Sequence, residues 1–189
     1  MNLNQFTIKA QQAIQQAQHI AAQHKQQAIE NIHLLKALIE ADEHLIPVLL
    51  QKLNVNVKVF QQAIDSSITS LPRVEGGGEP YFTNEASKTL QKAQQLIKDF
   101  GDDYVSIDHL LLAVFDTKST ASTLLKDNNI QRKDLQEAIM QLRQGKKVDS
   151  PNAEQNYDAL NRYARNLNQM AAEGKLDPVI GRDDEIRRV

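Results

Sequence analysis

His33-Leu34-Leu35-Lys36-Ala37 returns 76 positions later as His109-Leu110-Leu111-Leu112-Ala113. The match extends outward from there. Upstream, Phe6-Thr7, Ala10 and Ala17-Gln18 recur at the same spacing as Phe82-Thr83, Ala86 and Ala93-Gln94. Downstream, after a slip of one residue, Leu49-Leu50, Asn54, Lys58, Gln61 and Ala63-Ile64 recur 75 positions on as Leu124-Leu125, Asn129, Lys133, Gln136 and Ala138-Ile139. A duplication of this length predicts two similar units in one chain. Two such units bury apolar faces against each other, and the seam between them is a natural binding surface.

Within each copy the apolar period is helical. Phe6, Ala10, Ala13, Ile14, Ala17 and Ala21 form one stripe, and Phe82, Ala86, Leu90, Ala93, Leu96 and Ile97 form its counterpart. Thr7 and Thr83 stand where a hydroxyl accepts from a first-turn amide. Small Ala side chains in the stripe predict close helix approach. Second helices are expected at about Ile32–Ala41 and Ile107–Asp116. Ser106 is a plausible N-cap there, Asp108 adds first-turn negative charge, and Glu30 is the poorer cap of the first copy. Third helices fall near Leu45–Leu53, with Pro47 in the first turn, and Thr120–Asp127. Fourth helices fall near Val57–Ser70 and Arg132–Arg143. Period-two alternation is nowhere sustained, except weakly at Asn54–Val59. The expected fold is all-α: an eight-helix domain of two four-helix repeats, about 1–71 and 81–143. Pro72–Pro80, with Gly76-Gly77-Gly78, joins the copies. A flexible polar linker is expected over 144–156, followed by a short helix over Tyr157–Ala172.

The bulk numbers exclude several functions. Net charge is −2, so no large field draws nucleic acid or anionic lipid. The absence of Cys rules out disulfides, thiolate metal sites and cysteine nucleophiles. No secretory leader pattern opens the sequence, and the longest apolar run, Leu110–Phe115, is far short of a membrane span. A soluble, cytoplasmic protein is expected. The duplicated region, roughly 1–143, is long enough to bury about two thirds of its unfolded surface. His33 and His109, at equivalent helix starts, read as half-buried rings with local hydrogen bonds. His19 and His24, five apart, point to different faces, so no metal site is expected. Gly76-Gly77-Gly78 has no preceding strand and no following Lys, which makes it a linker and not a phosphate loop.

The tail, Gly174-Lys175-Leu176-Asp177-Pro178-Val179-Ile180-Gly181-Arg182-Asp183-Asp184-Glu185-Ile186-Arg187-Arg188, closely resembles the entry into the first ATPase module of Clp/Hsp100 AAA+ unfoldases. Tyr157–Leu167 is similar to the helix leading into that module, and residues 1–143 resemble the double Clp N-terminal repeat. Glu173-Gly174-Lys175-Leu176-Asp177-Pro178, with Leu71–Gly78 between the copies, is most like the ClpB-type disaggregase branch.

The resemblance implies a homohexameric, ATP- and Mg-dependent machine that works with the Hsp70 system and threads unfolded or aggregated proteins through a pore. It implies an N-terminal substrate-binding domain in this chain, monomeric by itself, with an apolar groove that passes clients to the motor. Carried over by position, Thr7, Leu90, Asp102 and Asp108 fall in or beside that groove, and the two acids are expected to favour basic segments. Lys92 stands where the family often has an apolar residue. Leu90 reads equally as a core stripe residue. Val179, Ile180 and Gly181 match the stretch that flanks the adenine, a partial site only. No Gly-x-x-x-x-Gly-Lys-[Ser/Thr] loop is present, so this chain by itself is not expected to be an enzyme or to hold a cofactor. The alternative reading is an adaptor-docking module of a protease-linked Clp unfoldase. Residues beyond Val189 would separate the two, since a long coiled-coil insertion marks the disaggregase branch.

Overall fold

The computed structural model describes residues 3–42, 45–75 and 78–156 of the 189-residue chain. His44, Gly76-Gly77, the expected helix at Tyr157–Ala172 and the Val179-Ile180-Gly181 stretch lie outside the described residues. Among the described residues the first copy forms α1 (Ile8–Gln23), α2 (Asn31–Ala41), α3 (Leu45–Lys52) and α4 (Val57–Thr69). The second forms α5 (Asn84–Phe100), α6 (Ile107–Asp116), α7 (Thr120–Asp127) and α8 (Arg132–Arg143). The weak alternation at Asn54–Val59 forms no strand, because Asn56 caps α4 by accepting from the Val59 amide at 3.2 Å.

The local chemistry repeats with the sequence. Thr7 accepts from Ala10 N–H and Thr83 from Ala86 N–H, each at 3.2 Å. Left-handed backbone recurs at Asn54 and Asn129 (φ 60° and 59°) and at Lys25 and Gly101 (φ 56° and 66°). Asn tolerates that region through local hydrogen bonding, and Gly has no Cβ to clash. The Ala stripe of α1 is buried against α2, and its counterpart on α5 against α6.

Two short strands join the copies, a feature the sequence does not announce. β1 (Ala28–Ile29) pairs in parallel with β2 (Tyr81–Phe82), and Phe6 bridges Val105 in the same sense. At two residues each they are too short for a period-two signal. The pairing is reciprocal. Ile29 meets Phe82, and Val105 meets Phe6, so each copy lends its first residues to the other's loop between first and second helices. The helices do likewise: α1 packs on α6 as α5 packs on α2, and α3 packs on α8 as α7 packs on α4. One contiguous core results, with Phe6, Phe60 and the Leu34-Leu35 pair among its fully buried side chains.

Residues 144–156 differ from the flexible linker expected of them. After α8 the chain turns back as a strap. Val148 is fully buried. Its carbonyl accepts from the amides of Asp103 and Tyr104 at 2.9 and 3.2 Å, and its own amide donates to Asp102 Oδ1 at 2.9 Å. The Pro151 carbonyl accepts from Ile8 N–H at 2.9 Å. A 3₁₀ turn, Ala153–Asn156, then buries Ala153 and Glu154. Three buried side chains among polar neighbours suffice to dock a stretch whose composition reads as linker.

Candidate functional site

The candidate site lies where the N-termini of α1 and α6 meet across the Phe6–Val105 bridge. The turn before α6 and the C-terminus of α8 complete it. His109 Nδ1 accepts from the Ser106 amide at 3.1 Å, which leaves the proton on Nε2. Nε2–H donates to Asp102 Oδ2 at 3.1 Å. Arg143, from the last turn of α8, grips Asp108 with two nitrogens, at 2.7 and 2.9 Å, and Asp102 with a third at 2.5 Å. Its guanidinium lies 4.9 Å from the centre of the Phe100 ring, which meets His109 edge-on at 5.1 Å.

The first copy builds the same hub without charge. His33 Nδ1 accepts from the Glu30 amide at 3.0 Å, and Nε2 pairs with Gln26 Oε1 at 2.8 Å. Gln26 Nε2 then donates to the carbonyl of Ile68, at the end of α4, at 2.6 Å. Gln26, Ile32 and Ile68 occupy the repeat positions of Asp102, Asp108 and Arg143. Both histidines are fully buried, more than the half-burial expected.

The electrostatics rest on these contacts. Burial opposes the charge of Asp102, but His109, the Val148 amide and Arg143 outweigh it and hold its carboxyl below the usual range. Burial opposes the charge of Asp108 as well, yet the two-pronged Arg143 contact holds it well below the usual range. Burial lowers His33 to about 4, with the nearby charge of His24 adding to it. Glu154 goes the other way. Its Oε1 accepts from the Thr7 hydroxyl and from Ile107 N–H, the latter at 3.3 Å. Its Oε2 is buried without a hydrogen-bond partner among the described residues. Burial, helped by the charge of Asp108, pushes it up to about 7.

Of the four residues expected at a groove, Thr7, Asp102 and Asp108 come together here, and Leu90 does not. All four are enclosed: Thr7 and Leu90 are 0 % exposed, Asp108 1 % and Asp102 7 %. Leu90 belongs to the core stripe of α5. The two acids are engaged by Arg143, so they present no open pair of charges to a basic segment. Sequence reading missed Arg143 and Glu154. Arg143 had a signal: a cation at a stripe position, matched by acids where the other copy has Gln26 and Ile32. Glu154 had none, lying beyond both copies. Lys92 contacts the Asp116 carbonyl at 3.3 Å, at the far end of α6 from the hub. Among the described residues, no group of three or more His, Asp or Glu side chains is placed to hold a metal ion, and no helix is long and apolar enough to cross a membrane.

A known family matches residues 5–128, the Clp repeat (R) N-terminal domain. The chain belongs to this Clp repeat family. Two curated relatives, each named chaperone protein ClpB, from Bacteroides thetaiotaomicron and Porphyromonas gingivalis, are each 49 % identical over all 189 residues. The chain spans 22 % of the length of each. The Hsp104 N-terminal domain from Candida albicans has the same fold, with a TM-score of 0.71 at 21 % identity, over 79 % of this chain and 99 % of that one. Thr7, Asp102 and Asp108 lie inside the Clp repeat match, whereas Arg143 and Glu154 lie after it.

Proposed function

We propose that this chain is the client-receiving head of an ATP-driven protein disaggregase. It captures unfolded or aggregated polypeptide at the seam between its copies and passes it to the motor of a homohexamer that works beside the Hsp70 system. What carries the reading is the 49 % identity, along the whole chain, to proteins named chaperone ClpB. ATP and Mg²⁺ enter only through the motor, with Val179, Ile180 and Gly181 at the edge of its adenine pocket. No phosphate-cradling loop stands in the 189 residues, so hydrolysis is not the task of this part.

The seam has the chemistry such a task needs. Unfolded clients expose apolar segments, and a receptor for them offers apolar handles with a polar rim. Ile8, 44 % exposed, and Tyr81, 60 % exposed, flank the reciprocally paired Phe6 and Phe82. Thr7, Asp102 and Asp108 shape the seam from beneath. Contact with few exposed apolar groups gives weak and reversible capture, on the order of micromolar or weaker, which suits a head that must release its client.

Titrating the isotopically labelled chain with a reduced and alkylated unfolded protein, followed by backbone NMR, tests this. Fast-exchange shifts are expected at Gln5–Ile8, Tyr81–Thr83 and Val105–Ile107. Shifts confined to α4 and α7, or none at all, overturn it.

A further inference from the structure

The strap occupies the Phe6–Val105 part of the ground that the proposed function assigns to clients. Val148 docks beside Asp102, the Pro151 carbonyl meets the first turn of α1, and Glu154 seats on Thr7 and on the first amide of α6. The groups it meets are mostly donors: the amides of Ile8, Asp103, Tyr104 and Ile107 and the Thr7 hydroxyl. Asp102 Oδ1 is the acceptor among them. Such a set suits a chain that offers carbonyls, turns at 150–152 and places an acceptor side chain at its far end. It does not suit a basic side chain at that end.

At the opposite seam the stretch after α4 also turns back, but without a carboxylate: Gln26 Nε2 donates to the Leu71 carbonyl at 3.3 Å and Val74 N–H to the Lys25 carbonyl at 2.8 Å. The copy-equivalents of Thr7 and Ile107 are Thr83 and Asn31. Thr83 caps α5 as Thr7 caps α1, and Ile29 pairs with Phe82 as Val105 pairs with Phe6. Among the described residues, no carboxylate is bonded to Thr83, and both polar side-chain atoms of Asn31 are buried without a partner. The seating of an acceptor side chain, Glu154, on Thr7 and Ile107 is thus particular to one seam and is not repeated at the other. Its apolar anchors, Val148 and Ala153, are small.

We propose that residues 148–154 are the resident occupant of a peptide site. The site accepts a turning segment that presents an apolar side chain and, six residues on, a carboxyl or carboxamide, and a client segment of that kind enters as the strap leaves. The proposal rests on the reading of the seam as the client-receiving face. A tethered occupant competes at a high effective concentration, and clients see an affinity reduced by the undocked fraction.

The test uses the 189-residue chain with two variants. Val148→Asp places a carboxylate against Asp102 and expels the strap. Glu154→Gln keeps an acceptor for Thr7 and Ile107 and holds the strap in place. Amide exchange at Ile8, Asp103 and Tyr104 reports docking, and exchange within α2 reports the fold. Fluorescence anisotropy measures binding of two probes, the synthetic peptide Lys146–Asn156 and a reduced, alkylated unfolded protein. With the strap out, Val148→Asp should bind both probes about fivefold or more tightly than the parent chain, and each probe should displace the other. Glu154→Gln should bind both more weakly than the parent. Loss of protection at Asp103 and Tyr104 with unchanged affinity overturns the proposal, as does failure of the peptide to compete. Should Val148→Asp not fold, an affinity of Glu154→Gln equal to the parent's is decisive against it. If the peptide binds and the unfolded protein binds no variant, the client-receiving reading falls while the strap site stands.

Discussion

Arg143 shows how one residue type reorganises a buried hub. It sits between two carboxylates, all three side chains nearly solvent-free. Removing the cation leaves two buried charges unpaired. Arg143→Met is expected to cost about 3–5 kcal/mol of unfolding free energy in a urea titration. Transplanting the first copy's set, Asp102→Gln with Asp108→Ile and Arg143→Ile, should recover most of that loss, since apolar replacements of buried ion pairs are often neutral or stabilising. Two other buried groups give opposite pH signs. Glu154 has a folded pKa of about 7 against an ordinary value of 4.5. Strap docking is therefore complete below about 4.5, weakens as pH rises towards 7 and is level above it. Asp108 faces Glu154 and opposes its ionisation, Arg143 is held by the two aspartates, and Lys9, nearby on α1, is engaged by Asp42. Exchange of the Ile8 amide, corrected for intrinsic chemistry, should be faster at pH 8 than at pH 5 in the parent chain and unchanged in Glu154→Gln. For His33, about 4 in the fold against 6.5, the stability is present above 6.5 and is lost as pH falls towards 4, on the order of 2–3 kcal/mol by calorimetry.

At the scale of elements, equal caps should have unequal weight. Thr7 and Thr83 accept the same first-turn hydrogen bond at the same length. Thr83→Ala is expected to cost about 1 kcal/mol. Thr7→Ala should cost about 1 kcal/mol more, because Glu154 loses its donor as well, and a difference in urea midpoints at equal m-value would show it. The helices were legible because their apolar stripes run from about two turns to nearly five and recur, with their caps, in register between the copies. β1 and β2 were not, since two residues carry no period. The strap hid behind Gly145, Pro151 and its charged neighbours, while its three buried side chains are too few to register as a core. Arg143 was readable only by setting one copy against the other. Leu90 could not be assigned from sequence, as a stripe residue and a groove residue look alike until burial is seen.

For the whole molecule, the reciprocal pairing makes each copy incomplete alone. Phe6 finds its partner in the second copy and Phe82 in the first. Neither copy can seat its first helix without the other's loop. Chains of residues 1–75 and 78–156, co-expressed, are therefore expected to co-purify and to show the helical signal and cooperative melting of the parent. Either half alone should self-associate or remain poorly folded, which analytical ultracentrifugation would register.

That reciprocity is the geometry of a two-fold homodimer whose subunits have been joined end to end. Symmetry would oblige two identical subunits to share every device: two ionic hubs or none, two docked straps or none. Covalent joining lifts that obligation. It lets one half keep a neutral hub built on Gln26 while the other carries Arg143 and an occupant that can leave, giving a nearly symmetric body a front and a back.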